Sequence, residues 1–210
     1  MLLKHGLVRR IRQMVRFTRS ELRHVSISIL VLIIAVSGLG PRWLGWEEIG
    51  LRTASVAVPL TAGFILHEFS HKSMAARFGY WSVYRMWTPG LLIALVLGLI
   101  SNGSLLFAAP GAVIILAPYA SRRESGMIGV AGPLANVALA ICLIPLALLG
   151  RPFGLIGSLG ARVNLWLAFF NLLPIPPMDG IKVLLWNFRA WALTEGLTVV
   201  VMALVWLVLP

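Results

Sequence analysis

Residues 54–78, ASVAVPLTAGFILHEFSHKSMAARF, are an apolar run of membrane-span length whose latter half holds His67-Glu68-Phe69-Ser70-His71. On an α-helix His67 and His71 lie four residues apart, so their rings share one face about one turn from each other and can grip a single metal ion. Glu68 points about 100° round the helix, off the metal but within reach of a water activated there, where it can act as a base. On a soluble helix the same residues would be ordinary solvated side chains. At membrane depth an ionisable residue costs about 2.5 to 3.5 kcal/mol on insertion scales, so its presence marks a functional site.

The rest of the chain agrees with a membrane setting. Of 210 residues, 59% are hydrophobic and 12% charged, with a mean hydropathy of +0.91, whereas soluble domains carry roughly 25% charged residues. The length suits five or six spans of about 20 residues and leaves no room for a soluble domain. The net charge of +11 does not point to nucleic acid, because seven of the eighteen Lys and Arg residues precede residue 24, and charge beside a span orients a membrane protein. The single Cys142 reads as a small buried hydrophobe.

Residues 2–25 alternate apolar and basic positions at helical spacing and predict a basic amphipathic helix on an anionic leaflet rather than a cleaved signal peptide. We therefore divide the chain into a surface segment, 1–24, and one transmembrane domain, 25–210, with a catalytic core of about 54–188. Spans are expected at Val25–Gly40, Ala54–Phe78, Met127–Leu149, Val163–Leu185 and Leu197–Leu209. The positive-inside rule puts fourteen of the eighteen basic residues on one side, read as cytoplasmic together with the N-terminus, which points to a multi-pass protein of the cell membrane. Arg85 and Arg122 then share a side. The segment between them is predicted to be re-entrant, with a β-hairpin of strands Leu105–Ala108 and Val113–Leu116 about the Pro110-Gly111 turn, in an otherwise all-α polytopic protein. Pro174, Pro176 and Pro177 must open the backbone of the fourth span, which membrane depth tolerates only beside protein or a water-filled cavity.

Asp179 is the only aspartate, and His67 and His71 are the only histidines outside the basic N-terminal region. Two His and one carboxylate with an open fourth position make a catalytic zinc site, one Zn2+ per chain. Zinc there would activate water and polarise a peptide carbonyl while Glu68 handles the proton, which is peptide hydrolysis. Lys72, four residues after Glu68, is expected to pair with it on the helix surface. Asn136 reads on its own as a helix-packing polar residue.

Taken together, His67-Glu68-x-x-His71 with Ala76-Arg77-Phe78-Gly79, Gly132-Pro133-x-x-Asn136, and Asn171-x-x-Pro174 leading to Asp179-Gly180 resemble the site-2 protease family of intramembrane zinc metalloproteases. The resemblance implies zinc ligands at His67, His71 and Asp179, a catalytic Glu68, and Asn136, Gly132 and Pro133 near the substrate. It also implies that the substrates are membrane-spanning segments of other proteins. A divalent-metal transporter is the first alternative, but it would spread its ligands along a path. A catalytically silent membrane scaffold is the second, and loss of Glu68 or a ligand would have been its signature.

Overall fold

The computed structural model describes residues 11, 13–42, 45–105 and 110–209. Helix α1, Arg19–Val36, starts where Thr18 and Glu21 form a capping box: the Glu21 N–H donates to Thr18 Oγ1 (3.2 Å) and the Thr18 N–H to Glu21 Oε2 (2.8 Å). That box satisfies two of the free N–H groups of the first turn and fixes the start of the helix. The continuous helix expected over 2–25 is therefore interrupted before Thr18; residues 2–10 and Arg12 lie outside the described residues. Helix α2, Trp46–Arg77, is 32 residues long and carries the histidine motif.

Strand β1 is Ser82–Met86, helix α3 is Thr88–Ile100, and strand β2 is Gly111–Ile115. β1 and β2 pair antiparallel, with Tyr84 opposite Val113 and Arg85 opposite Ala112. The expected strand after Pro110 thus exists, but its partner lies before α3 rather than at Leu105–Ala108, of which residues 106–108 lie outside the described residues. The segment still leaves and returns to one end of the bundle. Asn102 reaches the far end of α1, donating to Gly38 O (3.2 Å) and Arg42 O (2.6 Å), before the chain comes back to the sheet.

Helix α4, Arg122–Ala147, opens with a second capping box, Ser121 with Glu124. Helix α5, Phe153–Leu172, ends where the prolines begin, so this span sits ten residues earlier than expected, and the short helix α6, Asp179–Trp186, follows the open stretch. Helix α7, Phe188–Val208, closes the described chain, and Trp191 ties it to the end of α5 through its Nε1–H to Leu172 O (2.8 Å).

Among the described residues four helices, α2, α4, α5 and α7, are long and apolar enough to cross a membrane, fewer than the five or six expected. α1 falls short because Arg19, Glu21 and Arg23 occupy its first turns. α3, at 13 residues, extends only about 20 Å against a hydrocarbon thickness of about 30 Å. The chain is a polytopic, largely helical membrane protein with one small sheet. Lipid offers no hydrophobic force between helices, so small residues that allow close approach carry the packing. Ala140, Ala161 and Ala168 are fully buried between α4 and α5, and large apolar side chains on α7 such as Leu193, Val200 and Leu207 face outward. Cys142 is exposed on α4, not buried as the sequence suggested.

Candidate metal centre

α2 brings His67 and His71 to one face, as the spacing requires, and the start of α6 brings Asp179 against them. Asp179 Oδ2 lies 2.9 Å from His71 Nε2 and 3.4 Å from His67 Nε2, and the two Nε2 atoms are 3.0 Å apart. All three residues are buried. The opposite ring nitrogens are spoken for. His67 Nδ1–H donates to Asn136 Oδ1 (2.5 Å) and His71 Nδ1–H to Ile128 O (2.7 Å). With their protons held on Nδ1, both imidazoles turn bare Nε2 lone pairs toward a carboxylate oxygen that is also an acceptor. In the neutral tautomer that those bonds select, three acceptors converge, a set that a cation would complete, and two nitrogens and one carboxylate oxygen suit zinc. Gly132 leaves the space for one: a Cβ there would stand 2.4 Å from His71 Nε2 and 2.7 Å from His67 Nε2. His67, His71 and Asp179 together could hold a Zn2+ ion.

A second set of contacts holds these donors. Lys182 Nζ donates to Asp179 Oδ1 (2.8 Å), fixing the carboxylate so that Oδ2 faces the imidazoles. Asn136, fully buried, gives its Nδ2–H groups to Gly63 O (3.2 Å) and Asn164 Oδ1 (2.9 Å), and Asn164 is anchored in turn on Pro59 O (3.2 Å) and Gly160 O (2.9 Å). Such partners fix tautomer and ring orientation. Asn136 therefore serves the ligand His67, Gly132 lies against both imidazoles, and Pro133 is buried within α4; the resemblance had implied that all three lie near the substrate. Sequence reasoning passed over Asn164 and Lys182. For Lys182 the signal was its i+3 spacing from Asp179, and for Asn164 it was a second intramembrane asparagine.

Glu68 is buried, and its Oε2 has no hydrogen bond among the described residues. The expected Glu68–Lys72 pair does not form. Lys72 Nζ turns instead to Glu21 Oε1 (2.5 Å) and Ser82 O (2.9 Å). Glu68 shares a small cavity with the three metal donors, with Gly111, Ala112 and Val113 of β2, and with Asn171 and Met178. Behind the cavity, the buried Tyr84 Oη and Ser28 Oγ share a hydrogen bond of 2.8 Å.

This chain is 40% identical over 181 residues to the protein named "Putative zinc metalloprotease MJ0611" of Methanocaldococcus jannaschii, covering 85% of this chain and 90% of that one. It belongs to that family of zinc metalloproteases. Two further members, named "Putative zinc metalloprotease Rip2", come from Mycobacterium tuberculosis, 30% identical over 187 residues, and Mycolicibacterium smegmatis, 28% over 190. Each match covers 79% of this chain and 71% of the relative. No family model matches the chain, and no solved structure matches it. The family's chemistry and the three converging acceptors agree on one metal and one class of reaction.

Proposed function

We propose that the chain is an intramembrane zinc endopeptidase of the site-2 protease type, its HExxH helix supplying ligands and base, that hydrolyses peptide bonds within or next to the membrane-spanning segments of other proteins. What supports this reading is the position of the motif along α2: His67 lies ten residues from the Arg77 end, roughly 15 Å along the helix axis, which is half of a hydrocarbon core about 30 Å thick when Arg77 is set at its border. The basic residues Arg19, Arg23, Arg77 and Arg122 cluster toward one end of the bundle, which favours a cell-membrane protein with its N-terminus in the cytoplasm.

Bound zinc would polarise the scissile carbonyl and acidify a water. The chain's own residues do the rest. Glu68 accepts the proton of the attacking water at its unengaged Oε2 and returns it to the departing amine. Asn136, Ile128 and Lys182 hold the ligands still. A helical substrate must first unwind, which leaves backbone groups unpaired at several kcal/mol each in hydrocarbon. β2 offers replacement partners. The bonds Leu116 N–H to Trp81 O (2.8 Å) and Trp87 N–H to Pro110 O (2.9 Å) set the alternation of the ladder, so Ala112 and Ile114 bond to β1 while the N–H and C=O groups of Gly111 and Val113 point away from it. Gly111 and Val113 also line the cavity, so an extended substrate can add to that edge as a further strand.

The test is a single-span substrate in vesicles with purified enzyme. Wild type should cut inside or at the edge of the apolar span, Glu68→Gln should retain zinc without cutting, and Val113→Pro, which removes an outward N–H, should cut poorly with its zinc intact. Cleavage confined to soluble peptides, or undiminished cleavage by Glu68→Gln, would overturn the proposal.

A further inference from the structure

The sheet has two outer edges, and they are treated differently. The alternation that turns Gly111 and Val113 outward from β2 also turns Ser82 and Tyr84 outward from β1, on the side away from the metal cavity. A two-stranded sheet inside a membrane has to satisfy those groups. The Ser82 C=O accepts from Lys72 Nζ (2.9 Å), and the Tyr84 N–H donates to Glu21 Oε1 (2.9 Å). Glu21 and Lys72 are themselves an ion pair at 2.5 Å, both about 1% exposed, so the pair presents one donor and one acceptor to alternate residues of β1, as a neighbouring strand would. Phe17 lies under the ammonium, 5.1 Å from ring centroid to Nζ, and Tyr84 Oη bonds Ser28 Oγ (2.8 Å), so α1 and the segment before it are fastened to the same edge.

We propose that the Glu21–Lys72 pair is a strand substitute that closes the far edge of the sheet, leaving β2 as the one edge open to a substrate and fixing its height beside Glu68. This rests on the reading that substrate adds to β2. Glu21 and Lys72 are positioning residues: they touch neither metal nor substrate, and they act through Tyr84 and Ser82 on the strand hydrogen-bonded to β2. Hydrogen-bond polarity matters in this account, and charge alone does not suffice. Reversing the pair would put a donor where the Tyr84 N–H needs an acceptor and an acceptor where the Ser82 C=O needs a donor.

The experiment compares Glu21→Lys/Lys72→Glu, which keeps the charge pair and reverses its polarity, with Glu21→Gln/Lys72→Gln, which keeps an acceptor and a donor and removes both charges. Zinc content, KM and kcat on the vesicle substrate, and hydrogen exchange at the Tyr84 amide are read together. The reversed pair should raise KM roughly tenfold or more, the scale of one lost buried hydrogen bond, with zinc retained and kcat changed less. The neutral pair should stay closer to wild type in KM, and the Tyr84 amide should exchange slowly in wild type and faster in the reversed variant. A reversed pair with wild-type KM, or a wild-type Tyr84 amide that exchanges as freely as an exposed one, would overturn the proposal, and the second reading holds even if a variant fails to fold. Should Val113→Pro leave cleavage untouched, the addition of substrate to β2 fails instead, which separates the two outcomes.

Discussion

His71 and Lys72 are consecutive on α2 and both are buried, yet their polar groups are satisfied in opposite ways. Around His71, with both imidazoles as the neutral Nδ1–H tautomers, three acceptors meet: the two Nε2 atoms and Asp179 Oδ2. Around Lys72 donors and acceptors match, with the ammonium on Glu21 and Ser82 O, and Glu21 taking the N–H groups of Thr18 and Tyr84. The first set would be completed by a cation from outside; the second pairs its opposite charges internally, with the Phe17 ring beneath the ammonium. An incomplete buried set marks a ligand site, and a complete one marks architecture.

Glu68 is the acid whose Oε2 is engaged by neither set. Glu68→Gln should lower kcat by about 10²- to 10⁴-fold, the usual worth of a general base, while zinc content stays at the wild-type level. Loss of zinc in that variant would place Glu68 among the ligands.

At the self-contained set, Lys72→Met leaves Glu21 as an uncompensated buried charge and should cost about 3 to 5 kcal/mol, read as a fall in thermal unfolding temperature. Glu21→Met/Lys72→Met should cost less than the single change, since no charge is stranded. Equal losses would mean that the pair is not desolvated as its burial indicates.

Asn136→Ala removes the acceptor on His67 Nδ1 and should weaken zinc affinity about 10- to 100-fold, measured by competition with a chelator. The smallest effect is expected at Tyr84→Phe, which gives up the Ser28 bond for about 0.5 to 1.5 kcal/mol.

The two sets were unequally legible in the sequence, for a physical reason. His67, Glu68 and His71 are related by helix geometry alone, and Asp179 had no rival carboxylate of its kind, so the metal donors follow from local spacing and inventory. Glu21 and Lys72 stand 51 positions apart and meet only through the packing of α1 on α2, so Lys72 was assigned to the acid one turn away. The same limit hid the partner of β2. Pro110-Gly111 announces a turn, but nothing local says that the strand after it will pair with Ser82–Met86 across an intervening helix. The span count fell short at α1, where Arg19, Glu21 and Arg23 occupy the first turns.

Whether His67, His71 and Asp179 close on one zinc ion is read by X-ray absorption at the zinc edge of purified protein, together with zinc content in Asp179→Ala. One zinc per chain is expected, with nitrogen and oxygen neighbours at about 2.0 to 2.2 Å, two of them imidazoles, and reduced zinc in the variant. Sulfur in the shell, or a shell and zinc content unchanged by Asp179→Ala, would contradict it.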